Sequence, residues 1–170
     1  MFKFNYTPEE QKANQSLIDD FNNRKIIKGK LFLGNQGNGK TTDMIKYVNT
    51  LKGSPERFMT AIDIVQKCFE PEYRQDPMSY LYYLADQSQI LTIDDMGAEP
   101  LKINVYGTEL EPISILIRRR YAISKYRGFI TNITTNLNED ELKTKYTDAV
   151  VGRLIEMCEW LHYRGPSFRK

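Results

Sequence analysis

Residues 34–41 read Gly-Asn-Gln-Gly-Asn-Gly-Lys-Thr, a full match to the pattern G-x-x-x-x-G-K-[ST]. That pattern fixes local geometry before any fold is considered. Gly34, Gly37 and Gly39 let the backbone curl so that successive N–H groups face inward, and Asn35 and Asn38 tolerate left-handed geometry. The curl suits phosphate oxygens. Lys40 is expected to reach the outer phosphates of a nucleoside triphosphate and the Thr41 hydroxyl to sit on Mg²⁺. With the adjacent Thr42, these are the cofactor-binding candidates. The motif requires a strand before it and a helix after it. Leu31-Phe32-Leu33 supplies the strand, and Met44, Ile45, Val48 and Leu51 recur at helical spacing behind it.

The rest of the composition narrows the field by exclusion. A chain of 170 residues is one domain's worth and long enough for a proper core. No apolar run approaches membrane-spanning length, and the N-terminus lacks the apolar stretch of a signal peptide. A cytoplasmic protein with no membrane partner is expected. Cys68 and Cys158 lie far apart among apolar neighbours and read as buried free thiols. One histidine and two cysteines leave little for a zinc site. A net charge of +2 gives no bulk argument for nucleic-acid binding, so that would have to come from local patches.

The pattern along the chain alternates strand and helix. A leading helix is expected over 8–24, capped by Thr7 with Pro8 in its first turn. Strands are expected at 57–61, 90–93 and 129–135, and the chain closes on Glu159 to Tyr163 and a basic tail. Helices are expected at 62–69, 78–87, 112–126, 139–146 and 149–158, with a loop over 97–111. This alternation implies an α/β fold with a mostly parallel sheet. Residues 1–28 read as an N-terminal helix and linker, and 29–170 as one P-loop ATPase domain.

Two further segments carry chemistry. Ile90-Leu91-Thr92-Ile93 is a buried-type strand that ends in Asp94 and Asp95. Parallel strands bring such ends to the sheet edge where ligands bind. Asp94 is the metal-holding candidate, together with Thr41, and Asp95 would orient the attacking water. The strand at 129–135 runs into Asn136, whose amide would bind that water or the γ-phosphate. Asn138 and Glu141 form the signature of a helix N-terminus.

Taken in order, GNQGNGKT, ILTIDDMGAE, ITTNLNEDEL, VVGRLIEMC and RGPSFR resemble the AAA+ ATPases of the DnaC/IstB type, the bacterial and phage replicative-helicase loaders and their transposition-helper relatives. The resemblance extends over about residues 10–170 and includes Arg120-Tyr121 ahead of the 129–135 strand. It implies an ASCE-type three-layer α/β/α sandwich with a five-stranded, mostly parallel sheet and no separate C-terminal lid. It implies that Asn136 is the sensor-1 asparagine and that Arg153 is an arginine finger, reaching a neighbouring subunit's ATP. It also implies that Arg169 lies near nucleotide. The chain departs from the family pattern at Ala149, where a further arginine is usual, and at Thr147, where glycine usually follows the tyrosine.

The partners so implied are a replicative DNA helicase, single-stranded DNA and other copies of the chain. Stacking platforms and cations for single strands are available at Phe69, Tyr73, Arg74, Tyr80, Tyr82 and Tyr83. Arg118, Arg119, Arg120, Lys125 and Arg127 make a second basic run. The leading expectation is an ATP-hydrolysing helicase loader. A transposition helper, a nucleotide-gated DNA-binding switch with little turnover, and a small P-loop kinase are the alternatives.

Overall fold

The computed structural model describes residues 27–51 and 56–163. The leading helix expected at 8–24 and the candidate Arg169 lie outside the described residues. The elements in chain order are β1 (Gly29–Gly34), α1 (Lys40–Val48), β2 (Glu56–Thr60), α2 (Ala61–Lys67), α3 (Pro77–Gln87), β3 (Ile90–Met96), β4 (Ile103–Val105), β5 (Thr108–Leu110), α4 (Pro112–Arg127), β6 (Ile130–Thr135), α5 (Glu139–Met157) and β7 (Cys158–Tyr163).

Five strands form one parallel sheet in the order β2-β3-β6-β1-β7. Strand β1 shows why helices flank the sheet on both faces. Its side chains alternate. Phe32 packs with Met44 and Val48 of α1, whereas Leu31 and Leu33 join the larger core built from α2, α3, α4 and α5. Every strand end that carries chemistry therefore points to one edge of the sheet. Among the described residues, no helix is long and apolar enough to cross a membrane.

Local sequence sets the helix ends. Thr60 and Asp63 form a reciprocal capping box at α2, and Asn138 and Glu141 form another at α5. Asp76 caps α3 ahead of Pro77. Gly128 ends α4 in the left-handed conformation, φ 64°. Within α5 the backbone leaves helical geometry at Thr147, φ 73° and ψ 153°, so the element is in effect the two helices expected from the sequence.

Two expectations are corrected. The segment 97–111 is not all loop, because β4 and β5 pair antiparallel as a small hairpin, with Ile103 opposite Leu110 and Val105 opposite Thr108. Its two-residue turn, Tyr106-Gly107, has both φ angles positive, 50° and 87°, the geometry that fits the strand twist. Three-residue strands are too short for alternation to register. Arg120 is not part of a basic surface. It is fully buried and donates to the Ala85, Ser88, Gln89 and Ile130 carbonyls and to Thr131 Oγ1. A planar guanidinium with five donors ties the end of α3 to the starts of β3 and β6, and burial lowers its pKa to about 10. Tyr80 is likewise core, with Tyr73 packed on it at 4.7 Å between ring centres.

Candidate active site

The glycine motif joins β1 to α1. Gly34, φ 146°, pairs in register with Tyr163 of β7, and a Cβ there would lie 2.3 Å from the Tyr163 carbonyl oxygen. Only glycine permits that approach. Gly37 and Gly39 take φ angles of 84° and 89°. A Cβ on Gly39 would meet nothing within 4 Å, so the space above the loop is open. Gly39 is the N-cap of α1 and offers no side-chain cap, which leaves the first N–H groups of the helix for an anion.

Lys40 is 6% exposed and lies across the loop. Its Nζ donates to Gly34 O at 2.6 Å, Asn35 O at 2.8 Å, Asn38 Oδ1 at 3.2 Å and Asn136 Oδ1 at 2.8 Å. The other end of the Asn136 amide, Nδ2, donates to Asp95 Oδ1 at 2.6 Å. Asn136 thus links the loop lysine to the second acid of β3.

Asp94 and Asp95 stand where β3 slips register against β6, between Ile93 and Met96. Asp95 has φ 55°, a left-handed geometry that an aspartate tolerates, and the irregularity turns its side chain toward Asn136. Asp94 Oδ1 accepts from Thr41 Oγ1 at 2.9 Å and from Thr134 Oγ1 at 2.5 Å. Thr134 in turn accepts from the Asp95 N–H at 2.9 Å. Sequence reasoning passed over Thr134. Its signal was period two: a residue two before Asn136 on a strand faces the same side.

Beyond Asp95, Glu99 is 2% exposed. It accepts from the Gly97 N–H at 2.8 Å and from the Tyr146 hydroxyl, while Lys145 Nζ donates to the Gly97 and Glu99 carbonyls. This anchors the loop after β3 to α5, next to the break at Thr147.

A cleft of about 590 Å³ opens over these groups, lined by residues 36–43 with Asp94, Asp95, Thr134 and Asn136. Thr42 and Asp43 are at its α1 side, Asp43 being a second residue the sequence reading did not single out. The Tyr163 hydroxyl and Lys46 hold the Asp43 carboxyl below its usual pKa. Tyr163 is pushed up to about 12 by burial and by Asp43. Arg153 does not line the cleft. From α5 it donates to the Ala149 carbonyl at 2.7 Å, and its guanidinium stacks on the Tyr121 ring at 5.6 Å.

The donor chemistry fits a triphosphate with a hard divalent cation. Thr41 and Asp94 present oxygens that converge within 2.9 Å. Among the described residues there is no cluster of three or more metal-ligating side chains. Mg²⁺ characteristically takes one or two protein oxygens and completes its octahedron with water and phosphate oxygens, which is what such a site offers. The cysteines are inert by comparison. Cys68 and Cys158 are buried, and burial raises their pKa values to about 11 and about 12.

The five-stranded parallel sheet with helices on both faces gives the chain an α/β fold whose topology matches that of AAA+ ATPases of known structure. The chain is similar in fold to the crystal structure of the DnaC helicase loader, with a TM-score of 0.62 at 23% identity over 95% of this chain and 94% of that one. It is similar also to DnaI, TM-score 0.58 at 17% identity over 99% and 88% of the two chains. A replication initiator, DnaA bound to AMPPCP and single-stranded DNA, matches with TM-score 0.57 and 14% identity over 96% of this chain and 49% of its own. At these identities the likeness is one of fold. No protein-family model and no curated protein matches the chain.

Proposed function

We propose that the chain is a Mg²⁺-dependent ATPase that serves DNA replication as a helicase loader of the DnaC type, with residues 29–170 as its ATPase domain. The observation that carries this reading is the hydrogen-bonded chain Lys40–Asn136–Asp95 across the mouth of the cleft, in a fold shared with DnaC and DnaI. In this reading the loop residues Gly34 to Thr42 hold the phosphates, with Thr41 and Asp94 on Mg²⁺. Asp95 and Asn136 orient water against the γ-phosphate. Mg²⁺ neutralises charge on the phosphate oxygens.

Arg153 acts on a neighbouring copy's ATP, since from its own α5 it stacks on Tyr121 outside its own cleft. The site is then completed by self-association. Among the described residues no arginine lines the cleft, which weighs against a small kinase, since such an enzyme closes several arginines over the transferred phosphate. A transposition helper would share this chemistry and differ in its client.

Single-stranded DNA would find stacking platforms on α3, where the exposed rings of Tyr82 and Tyr83 carry the guanidiniums of Arg119 and Arg57 at 5.2 and 5.3 Å. Replicative helicase is the protein partner of this reading.

The test is the ATPase rate as a function of protein concentration, with and without single-stranded DNA. A rate per subunit that rises with concentration and collapses in Arg153→Ala supports a shared site. A rate independent of concentration and unchanged in Arg153→Ala would overturn it. Tight ATP binding with negligible turnover would favour the nucleotide-gated switch. Capture of replicative helicase from the source cell by the ATP-bound protein tests the client.

A further inference from the structure

The cleft has two chemically distinct ends, and the sheet order tells them apart. Strand β1 and its loop lie between β6 and β7. On the β6 side stand Asn136, Asp95 and Asp94, with Lys40 reaching toward them. A phosphate chain that ends at those groups must enter from the opposite side, so the nucleoside lies over the β7 side.

Among the described residues that line the cleft, the carboxylate on that side is Asp43, in the first turn of α1. Its position is built rather than incidental. Tyr163 of β7 donates from Oη to Asp43 Oδ2 at 2.9 Å, and Lys46 Nζ donates to Oδ1 at 3.1 Å. Tyr163 is itself fixed by its ring against Phe32 at 5.5 Å and by its backbone register with Gly34. Each carboxylate oxygen keeps lone-pair capacity, because a carboxylate accepts about four hydrogen bonds.

A fixed anion in a phosphate-binding cleft is unfavourable toward phosphate, and the metal-holding candidates Thr41 and Asp94 bond to each other while Asp43 bonds to Tyr163 and Lys46. What it does favour is a hydrogen-bond donor. The donors a nucleotide presents next to its phosphates are the ribose hydroxyls.

We infer that Asp43, oriented by Tyr163, reads the ribose hydroxyls of the bound nucleotide and makes the protein select ribonucleotides over deoxyribonucleotides. This rests on the nucleotide reading of the cleft proposed above. Asp43 contacts the ligand, and Tyr163 is a positioning residue that acts through it. In a cell both sugar forms are present, and a site that reads the sugar favours the ribonucleotide.

The experiment is calorimetric titration of the full chain with Mg²⁺ and four probes: ATP, 2′-deoxy-ATP, 3′-deoxy-ATP and inorganic tripolyphosphate. The wild type is expected to bind ATP about tenfold or more tighter than at least one deoxy analogue, the range of a hydrogen bond to a charged group. Asp43→Ala should lower ATP affinity to that of the deoxy analogue, leave the analogue's own affinity unchanged and leave tripolyphosphate binding intact or tighter. Tyr163→Phe should reduce the ATP preference part of the way, with Asp43→Asn as the milder variant.

Equal affinity of wild type for all three nucleotides, or an equal loss for all three in Asp43→Ala with tripolyphosphate binding retained, would overturn the inference and leave the nucleotide reading standing. Failure of the wild type to bind any of the four probes would overturn both.

Discussion

The Thr134 hydroxyl donates to Asp94 Oδ1 at 2.5 Å while accepting from the Asp95 N–H at 2.9 Å, so a single threonine sets both acids of β3. Thr134→Val keeps the shape and removes both bonds. Leaving a part-buried N–H unpaired costs about 1–3 kcal/mol. We expect a loss of that order in urea denaturation. ATP turnover should fall at least tenfold with ATP affinity within about threefold of wild type, since the phosphate loop is untouched. Unchanged turnover would show that Thr134 has no hold on the acids.

Thr147 has φ 73° and ψ 153°, a region that is essentially glycine's own. A β-branched side chain there stores about 1–3 kcal/mol, against which glycine loses about 0.5–1 kcal/mol in the unfolded chain. Thr147→Gly is therefore expected to stabilise the protein by roughly 1 kcal/mol, read as a higher urea midpoint at constant slope. A lowered midpoint would mean that the threonine side chain contributes more than its backbone costs.

Arg120 satisfies four carbonyls and one hydroxyl from full burial. Arg120→Lys retains the charge but has three donors on a point, unable to span that ring of acceptors. We expect it to cost about 3–5 kcal/mol, close to Arg120→Ala, because either change strands buried polar groups. Thermal unfolding of the two variants checks this, and near-wild-type stability of the lysine variant would contradict it.

Asp86 accepts from Arg119 Nε at 2.8 Å and Nη2 at 2.5 Å, and that bonding lowers its pKa. A folded pKa below the unfolded value, ordinarily about 3.9, adds stability above that value and loses it as pH falls through the folded one. Asp86→Asn should thus be less stable than wild type at pH 7, with the gap closing as pH falls below the ordinary carboxylate range. The pair is largely solvated, so the gap should stay below about 1 kcal/mol. A gap that widened in acid would reverse the assignment.

The sequence carried the skeleton of this fold because its signals are local. The glycine pattern marks the β1–α1 junction, apolar alternation marks the faces of β1, and Asn138 with Glu141 marks the start of α5. What escaped depends on contacts distant in sequence. Arg120 reads as one of three adjacent arginines, and only the return of Ala85, Ser88 and Ile130 around it turns a surface cation into a buried clamp. Thr134 and Asp43 are ordinary polar residues until β3 and β7 supply their partners. The hairpin of β4 and β5 was hidden by its brevity. The Arg153 assignment rests on family resemblance alone, as its contacts among the described residues, the Ala149 carbonyl and the Tyr121 ring, mark it for no ligand.

The tight approach of Gly34 to the Tyr163 carbonyl also bears on the order of assembly during synthesis. Strand β1 emerges early, yet both its neighbours, β6 and β7, are made more than a hundred residues later. A growing chain carries the complete glycine motif long before either strand exists to hold β1 in place. Such long-range pairing is slow to form. The glycine loop is thus encoded near the start and shaped near the end of the described fold.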